Sequence, residues 1–317
     1  MKPLRIVPDG LSANFIGLRR IAFAFSAIMI VLAIATTAVQ GLNFGIDFRG
    51  GILIEVRTEE PANIEEMRNT LGGLGLGETS LQNFGSERDV LIRIQRQDGA
   101  EEEQIAAIGI IQDTLGDVEY RRTEFVGPTV GDELVEAGIM AVLLSLAGIL
   151  IYIWLRFEWQ FGICAVIALA HDVITTIGLF ALIQFEFNLA TVAALLTIAG
   201  YSINDTVVVF DRVRENLRRY KKASLVEVLN RSINDVLSRT ILTSVTTLLA
   251  LLAIYVFGGA VIRDFAFALM WGILIGTYSS IFLAVPLLLY MGISRTTRES
   301  EAESDKDTAA RVVGSTS

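Results

Sequence analysis

Long apolar runs separated by polar segments dominate the pattern of this chain. A helix needs about 20 mostly apolar residues to cross a bilayer. Six runs come close to that length and predict six transmembrane helices, at residues 21–40, 136–155, 161–183, 189–210, 240–260 and 265–290. The first run is longer than a typical signal-peptide core, and no clear small-x-small cleavage site follows it. We therefore interpret it as a retained anchor.

Residues 41–135, between the first two runs, show a different pattern. Short alternating stretches predict four strands, and two stretches with helical spacing predict two helices. The strands are expected at 51–57, 79–85, 89–96 and 118–127, and the helices at 62–74 and 101–116. Their βαββαβ order is that of the ferredoxin-like split motif. We therefore expect a small α+β domain here.

The basic residues predict the orientation, because short loops rich in Lys and Arg stay in the cytoplasm. They concentrate in a leader, residues 1–20, and in a connector, residues 211–238. Residues 41–137 instead carry 20 acidic and 8 basic residues and no lysine. Both termini are expected in the cytoplasm, and the α+β domain outside. The polar tail, 293–317, lacks periodicity and is predicted to be disordered.

The composition narrows the chemistry. The chain has 317 residues, is 52% hydrophobic and carries a net charge of −9. The acidic outside segment argues against nucleic-acid binding. The single cysteine, Cys164, permits no intrachain disulfide, and without clustered His/Cys spacing neither metal nor cofactor is predicted. No nucleophile elbow, Walker loop or H-E-x-x-H motif occurs, so an enzyme is not expected.

Asp205 lies inside the fourth apolar run. A charge in hydrocarbon costs about 2.5–3.5 kcal/mol on insertion scales, and such residues mark ion or proton pathways. Tyr201 and Asn204 share its helix face, while Arg239 enters the fifth run and heads a stripe that includes Thr243. These faces are expected to turn toward each other, which would bring Arg239 within reach of Asp205.

Each of these polar membrane residues also has a purely structural interpretation. Asp205 either titrates or forms a static ion pair, and Arg239 either serves Asp205 or snorkels to the interface. On the third run, His171 and Asp172 form either a satisfied interior pair or an accessory relay through the chain's only histidine. Small residues four apart in the sixth run predict close helix packing, at Gly272, Gly276, Ser280 and Ala284.

Long motifs resemble those of the SecD/SecF family, part of the RND superfamily. The segment NFGIDFRGG (43–51) contains the hallmark G-x-D-F-x-G-G sequence, with Asp47, Phe48, Gly50 and Gly51. Four further segments resemble membrane signatures of SecF-type members: ALAHDV (168–173), GYSINDTVVVFDRVREN (200–216), SRTILTS (238–244) and FGGAVIRDF (257–265). The likeness covers roughly residues 15–292 and follows the family's order.

The resemblance implies a six-helix half of an RND-type bundle in the bacterial inner membrane, with one periplasmic domain between helices 1 and 2. It implies a SecD partner, with which the pair uses the proton-motive force to assist late translocation of preproteins through SecYEG, and association with YidC. By motif, Asp205 matches the aspartate of the proton path and Arg239 its arginine partner. The hallmark loop looks structural or coupling.

Two other functions stay open on the residues alone. One is half of an RND-type small-molecule or lipid exporter, although such exporters normally carry two large outside loops in a longer chain. The other is a passive scaffold, in which changes at Asp205 and Arg239 would be tolerated. Because an aspartate near hydroxyls can serve either ion, the pattern does not distinguish H⁺ from Na⁺ coupling.

Overall fold

A four-stranded antiparallel sheet follows the first long helix. The computed structural model describes residues 12–293, apart from residues 96, 98–100 and 259. Its first half contains α1 (Arg19–Gln40), β1 (Asn43–Phe44), α2 (Ile46–Arg49), β2 (Gly51–Arg57), α3 (Ile64–Gly72), β3 (Thr79–Phe84), β4 (Ser86–Ile94), α4 (Glu101–Leu115) and β5 (Glu119–Val126). The sheet order is β3-β4-β2-β5. This is the predicted βαββαβ arrangement.

The first six residues of the central strand β2 are all buried. Since alternate residues of a strand point to opposite faces, both faces of β2 are covered. On one face Ile52 packs in a core with Leu71 of α3 and Ile111 of α4. On the other face Leu53 packs with Ile46 of the hallmark segment. The hallmark segment therefore forms part of the α+β domain's core.

The second half is a helical bundle. It contains α5 (Pro128–Arg156), α6 (Trp159–Ile183), β6 (Glu186–Phe187), α7 (Leu189–Arg219), α8 (Leu225–Phe257), α9 (Ala260–Ser279), a π-helical segment (Ser280–Ala284) and α10 (Val285–Leu287). Among the described residues, six helices are long and apolar enough to cross a membrane. Each of them overlaps one of the six predicted runs.

Helices α6, α7 and α9 form the interior of the bundle, whereas α1, α5 and α8 leave most of their surface exposed. Close approaches depend on small residues. A Cβ added at Gly178 of α6 would lie 2.2 Å from the Cβ of Ala33 in α1. Contacts of this kind let helices pack by van der Waals attraction where water provides no driving force.

The predicted connector, 211–238, differs from expectation. Helix α7 continues to Arg219 and α8 begins at Leu225, so most of the connector is helical. Polar side chains hold the extensions together: the amide of Asn216 donates to Ser232 at 3.0 Å and to Asp235 at 2.9 Å. Residues 294–317 of the tail and 1–11 of the leader lie outside the described residues.

Candidate functional site

Asp205 lies near the middle of α7 and is 5% exposed. Its Oδ2 atom is buried and has no hydrogen-bond partner among the described residues. Leaving a buried polar atom unpaired is costly, more so when the group is charged. An acid retained in this setting inside a membrane helix is a functional-site candidate.

Arg239, on α8, is exposed at the surface of the bundle. It acts electrostatically on Asp205, yet no ion pair joins these two described residues. Arg239 therefore influences Asp205 through its charge, but the two side chains do not form the contact of a static ion pair. Helical spacing assigns residues to a face, but it does not determine how far that face is rotated toward its neighbour.

The other predicted members of this group also divide between surface and interior. Tyr201 is half-buried, and its hydroxyl has no hydrogen-bond partner within the described part of the chain. Asn204 and Thr243 are exposed. The buried side chains of this part of α8 are instead Thr240 and Ser244. Both belong to the next helical position along.

A second acid lies at the centre of a buried polar cluster in the bundle. Asp172 of α6 is fully buried, and its Oδ1 lies 2.9 Å from His171 Nδ1. Its Oδ2 accepts hydrogen bonds from Ser202 at 2.6 Å and from Ser279 at 2.7 Å. Asp172 therefore joins α6, α7 and the end of α9. His171 Nε2 is buried without a partner among the described residues.

The sequence pattern does not single out Ser202 or Ser279 as members of this cluster. Ser202 lies three residues before Asp205 on α7, and Ser279 directly precedes the π-helical segment. The next residue along, Ser280, lies 2.8 Å from Thr206. Single turns of π-helix frequently occur at functional sites. The available signal was the row of small hydroxyls on α7 and α9, which resembles ordinary packing.

The small-residue stripe of α9 packs inside the chain. A Cβ added at Gly272 would lie 2.2 Å from Cγ1 of Ile198, and one at Gly276 would lie 3.2 Å from Cβ of Ser202. Further along, Ser280 and Ala284 are fully buried. The stripe thus brings α9 against α7, the helix that carries Asp205.

The hallmark segment contacts the start of the same helix. Asp47 Oδ2 accepts a hydrogen bond from the backbone N–H of Leu189 at 2.9 Å. The Phe48 ring packs at 6.0 Å from Phe187. Gly50 has φ +70° and Gly51 has φ +116°, a region that favours glycine and explains the paired glycines.

The chain matches two family descriptions. It matches "Protein export membrane protein SecD/SecF, C-terminal" over residues 107–294 and "SecD/SecF GG Motif" over residues 37–62. It is 50% identical over 291 residues to protein translocase subunit SecF of Rickettsia bellii strain OSU 85-389, covering 90% of this chain and 95% of that one. It is 50% identical over 285 residues to subunit SecF of Vibrio alginolyticus, covering 89% and 90%.

Two solved structures are also similar. The crystal structure of SecDF, a translocon-associated membrane protein from Thermus thermophilus, matches with a TM-score of 0.81 and 38% identity, covering 89% of this chain. SecDF in its super-membrane-facing form matches with a TM-score of 0.66 and 36% identity, covering 96%. This chain spans only 39% and 41% of those longer chains.

Proposed function

We propose that this chain, which belongs to the SecD/SecF family of protein-export membrane proteins, is a SecF-type subunit. In this role it couples ion movement to late steps of protein export. The proposed role is transport, without an enzymatic step. The proton-motive force is the proposed energy source, and the SecYEG channel, YidC and the translocating preprotein are the proposed associates. The basic leader and connector support a cytoplasmic location for both termini and a periplasmic one for the α+β domain.

The observation that carries this proposal is the buried Asp205 oxygen that has no hydrogen-bond partner among the described residues, on an acid that the exposed Arg239 attracts. An ion reaching this carboxylate neutralises it and weakens its attraction to Arg239. In a medium of low dielectric such a change can bias how two helices pack. Protonation of Asp205 would thus favour a different arrangement of α7 and α8.

A polar strip on the outside of the bundle supports a protein partner. Asn204, Arg239 and Thr243 are exposed on helices of membrane-spanning length. Polar side chains are expensive against lipid, and they usually face protein or water. The similar SecDF chains are more than twice as long as the part matched here. We propose that a SecD-type partner covers this strip and completes the ion path.

Protein export into inverted membrane vesicles tests the proposal. Asp205→Asn should abolish the part of export that an ion gradient stimulates, while leaving the complex assembled. Asp211→Asn is a matched control, because Asp211 lies on the same helix but is 41% exposed and pairs with Arg156 at 2.7 Å. Collapsing the proton and sodium gradients separately identifies the ion. Full stimulation in the assembled Asp205→Asn complex would instead support a passive scaffold.

A further inference from the structure

The connection between α6 and α7 is held against the sheet of the α+β domain by an ion pair. Arg93 of strand β4 donates from Nη2 to the Glu186 carboxylate at 2.6 Å. The two side chains are only 14% and 13% exposed. Charge-assisted hydrogen bonds shielded in this way are stronger than exposed ion pairs. Arg122 attracts Glu186, whereas Asp264 repels Glu186 and attracts Arg93.

Arg93 also holds the strand that opens the hallmark segment. Its Nη1 donates to Asn43 Oδ1 at 3.3 Å. Asn43 in turn is the register partner of Glu186 in the parallel pairing of β1 with β6. One arginine of the α+β domain therefore contacts both strands of this short bridge.

The same bridge leads directly to the helix of the membrane acid. Leu189 is the first residue of α7, and its N–H donates to Asp47 of the hallmark segment. The first N–H groups of a helix lack intrahelical partners, and a carboxylate there is favoured by the helix dipole. Asp205 lies 16 residues further on, about 24 Å along a rigid helix. A shift of α7 would therefore also displace Asp47, which contacts its first residue, and Glu186, which lies in the strand just before it.

We infer that Arg93 and Glu186 are positioning residues that make the α+β domain and helix α7 move as one unit. The inference rests on the proposed role of Asp205 as the group that changes state. It assigns a coupling function to a contact that lies far from the membrane carboxylate. Without the ion pair, α7 and the hallmark segment, which stay joined through Asp47, shift while the sheet keeps its place.

Hydrogen exchange on the full chain in lipid nanodiscs tests this inference. Asp205→Asn should change amide exchange in strand β4, Ser86–Ile94, by about tenfold. The same change made in an Arg93→Gln background should leave that strand unaffected. Arg57→Gln is the matched control, because Arg57 forms a pair of equal length, 2.6 Å, with Asp89 inside the sheet. It should preserve the response.

Three outcomes would overturn the inference: a response that persists in Arg93→Gln, one that is lost equally in Arg57→Gln, or none in the wild-type background. Glu186→Gln provides a second variant should Arg93→Gln fail to fold, and it must give the same result. Gly45→Ala is a third, since its Cβ would lie 2.5 Å from Glu186 Oε1 and displace the carboxylate without removing a charge. Gradient-stimulated export of the Asp205→Asn variant is measured separately: loss of export without an exchange response refutes the coupling alone, whereas full export refutes the proposed function.

Discussion

Removing the serine hydroxyls around Asp172 should destabilise the bundle more than removing an ordinary hydroxyl pair. Asp172 Oδ2 accepts from Ser202 at 2.6 Å and from Ser279 at 2.7 Å, with all three side chains buried. Hydrogen bonds to charged groups contribute about 1.5–3 kcal/mol each, against about 0.5–1.5 kcal/mol for neutral ones. We therefore expect Ser202→Ala and Ser279→Ala each to cost about 1.5 kcal/mol or more.

A cost of this size would be large for a hydrogen bond between membrane helices. Interhelical hydrogen bonds in membrane proteins average only about 0.6 kcal/mol by double-mutant cycles, because the unfolded chain in the membrane also finds partners. Ser244 and Thr277, whose hydroxyls lie 2.7 Å apart, provide the neutral comparison on α8 and α9. Ser244→Ala should fall near that average. Only a carboxylate that attracts its donors strongly would exceed it.

Unfolding of the purified protein in mixed micelles, titrated with SDS, measures the three costs on one scale. The double variant Ser202→Ala/Ser279→Ala should cost more than either single change and depart from additivity, because both hydroxyls share one carboxylate oxygen. If both single variants cost no more than Ser244→Ala, Asp172 is not a charged centre that holds the helices together.

Two further changes test packing and pH dependence. Gly272→Ala should cost about 1–3 kcal/mol in the same titration because its Cβ meets Ile198, whereas Gly148→Ala, with nothing within 4 Å, should not destabilise. The Arg57 guanidinium lowers the pKa of Asp89, so their contribution to stability is present above the unfolded value of about 3.9 and is lost as pH falls through the lowered folded value. Asp89→Asn should therefore raise amide exchange of β2 at pH 7, and the difference from wild type should shrink on acidification.

Much of the fold follows from local patterns. The strand at 51–57 was predicted at its observed bounds, because an apolar strand ends where polar residues begin. Six apolar runs gave six helices for the same reason. The helix extensions through 211–219 and 225–238 were missed, since their charges resemble a loop until Asn216 is seen to pair across them.

The candidate site was less predictable because it depends on helix rotation and on distant pairs. Thr243 and Ser244 are adjacent in sequence, yet the first is exposed and the second buried. A stripe of hydroxyls in α8 does not show which neighbour faces inward. Arg93 and Glu186 are 93 residues apart, and neither stands out from other charged residues. Their pairing follows only once the hallmark segment is placed against the start of α7.

The two membrane acids differ in a way that separates their roles. Asp172 is held by His171 and two serines, so a proton that neutralises it would weaken charge-assisted hydrogen bonds that join three helices. Asp205 has a buried oxygen without a partner among the described residues and lies on a helix whose neighbouring Asn204 is exposed. A change of charge there breaks no hydrogen bond to that oxygen.

Asp172→Asn should therefore lower resistance to SDS unfolding, because the neutral amide oxygen accepts weaker hydrogen bonds from the two serines than a carboxylate does. Asp205→Asn should leave that resistance within about 0.5 kcal/mol of wild type or raise it, since neutralising an unpaired buried charge removes a cost. In gradient-stimulated export the ranking should reverse, with Asp205→Asn inactive even when fully assembled. If Asp205→Asn instead unfolds at lower SDS than Asp172→Asn, Asp205 is the structural acid, and the ion-binding role assigned to it is wrong.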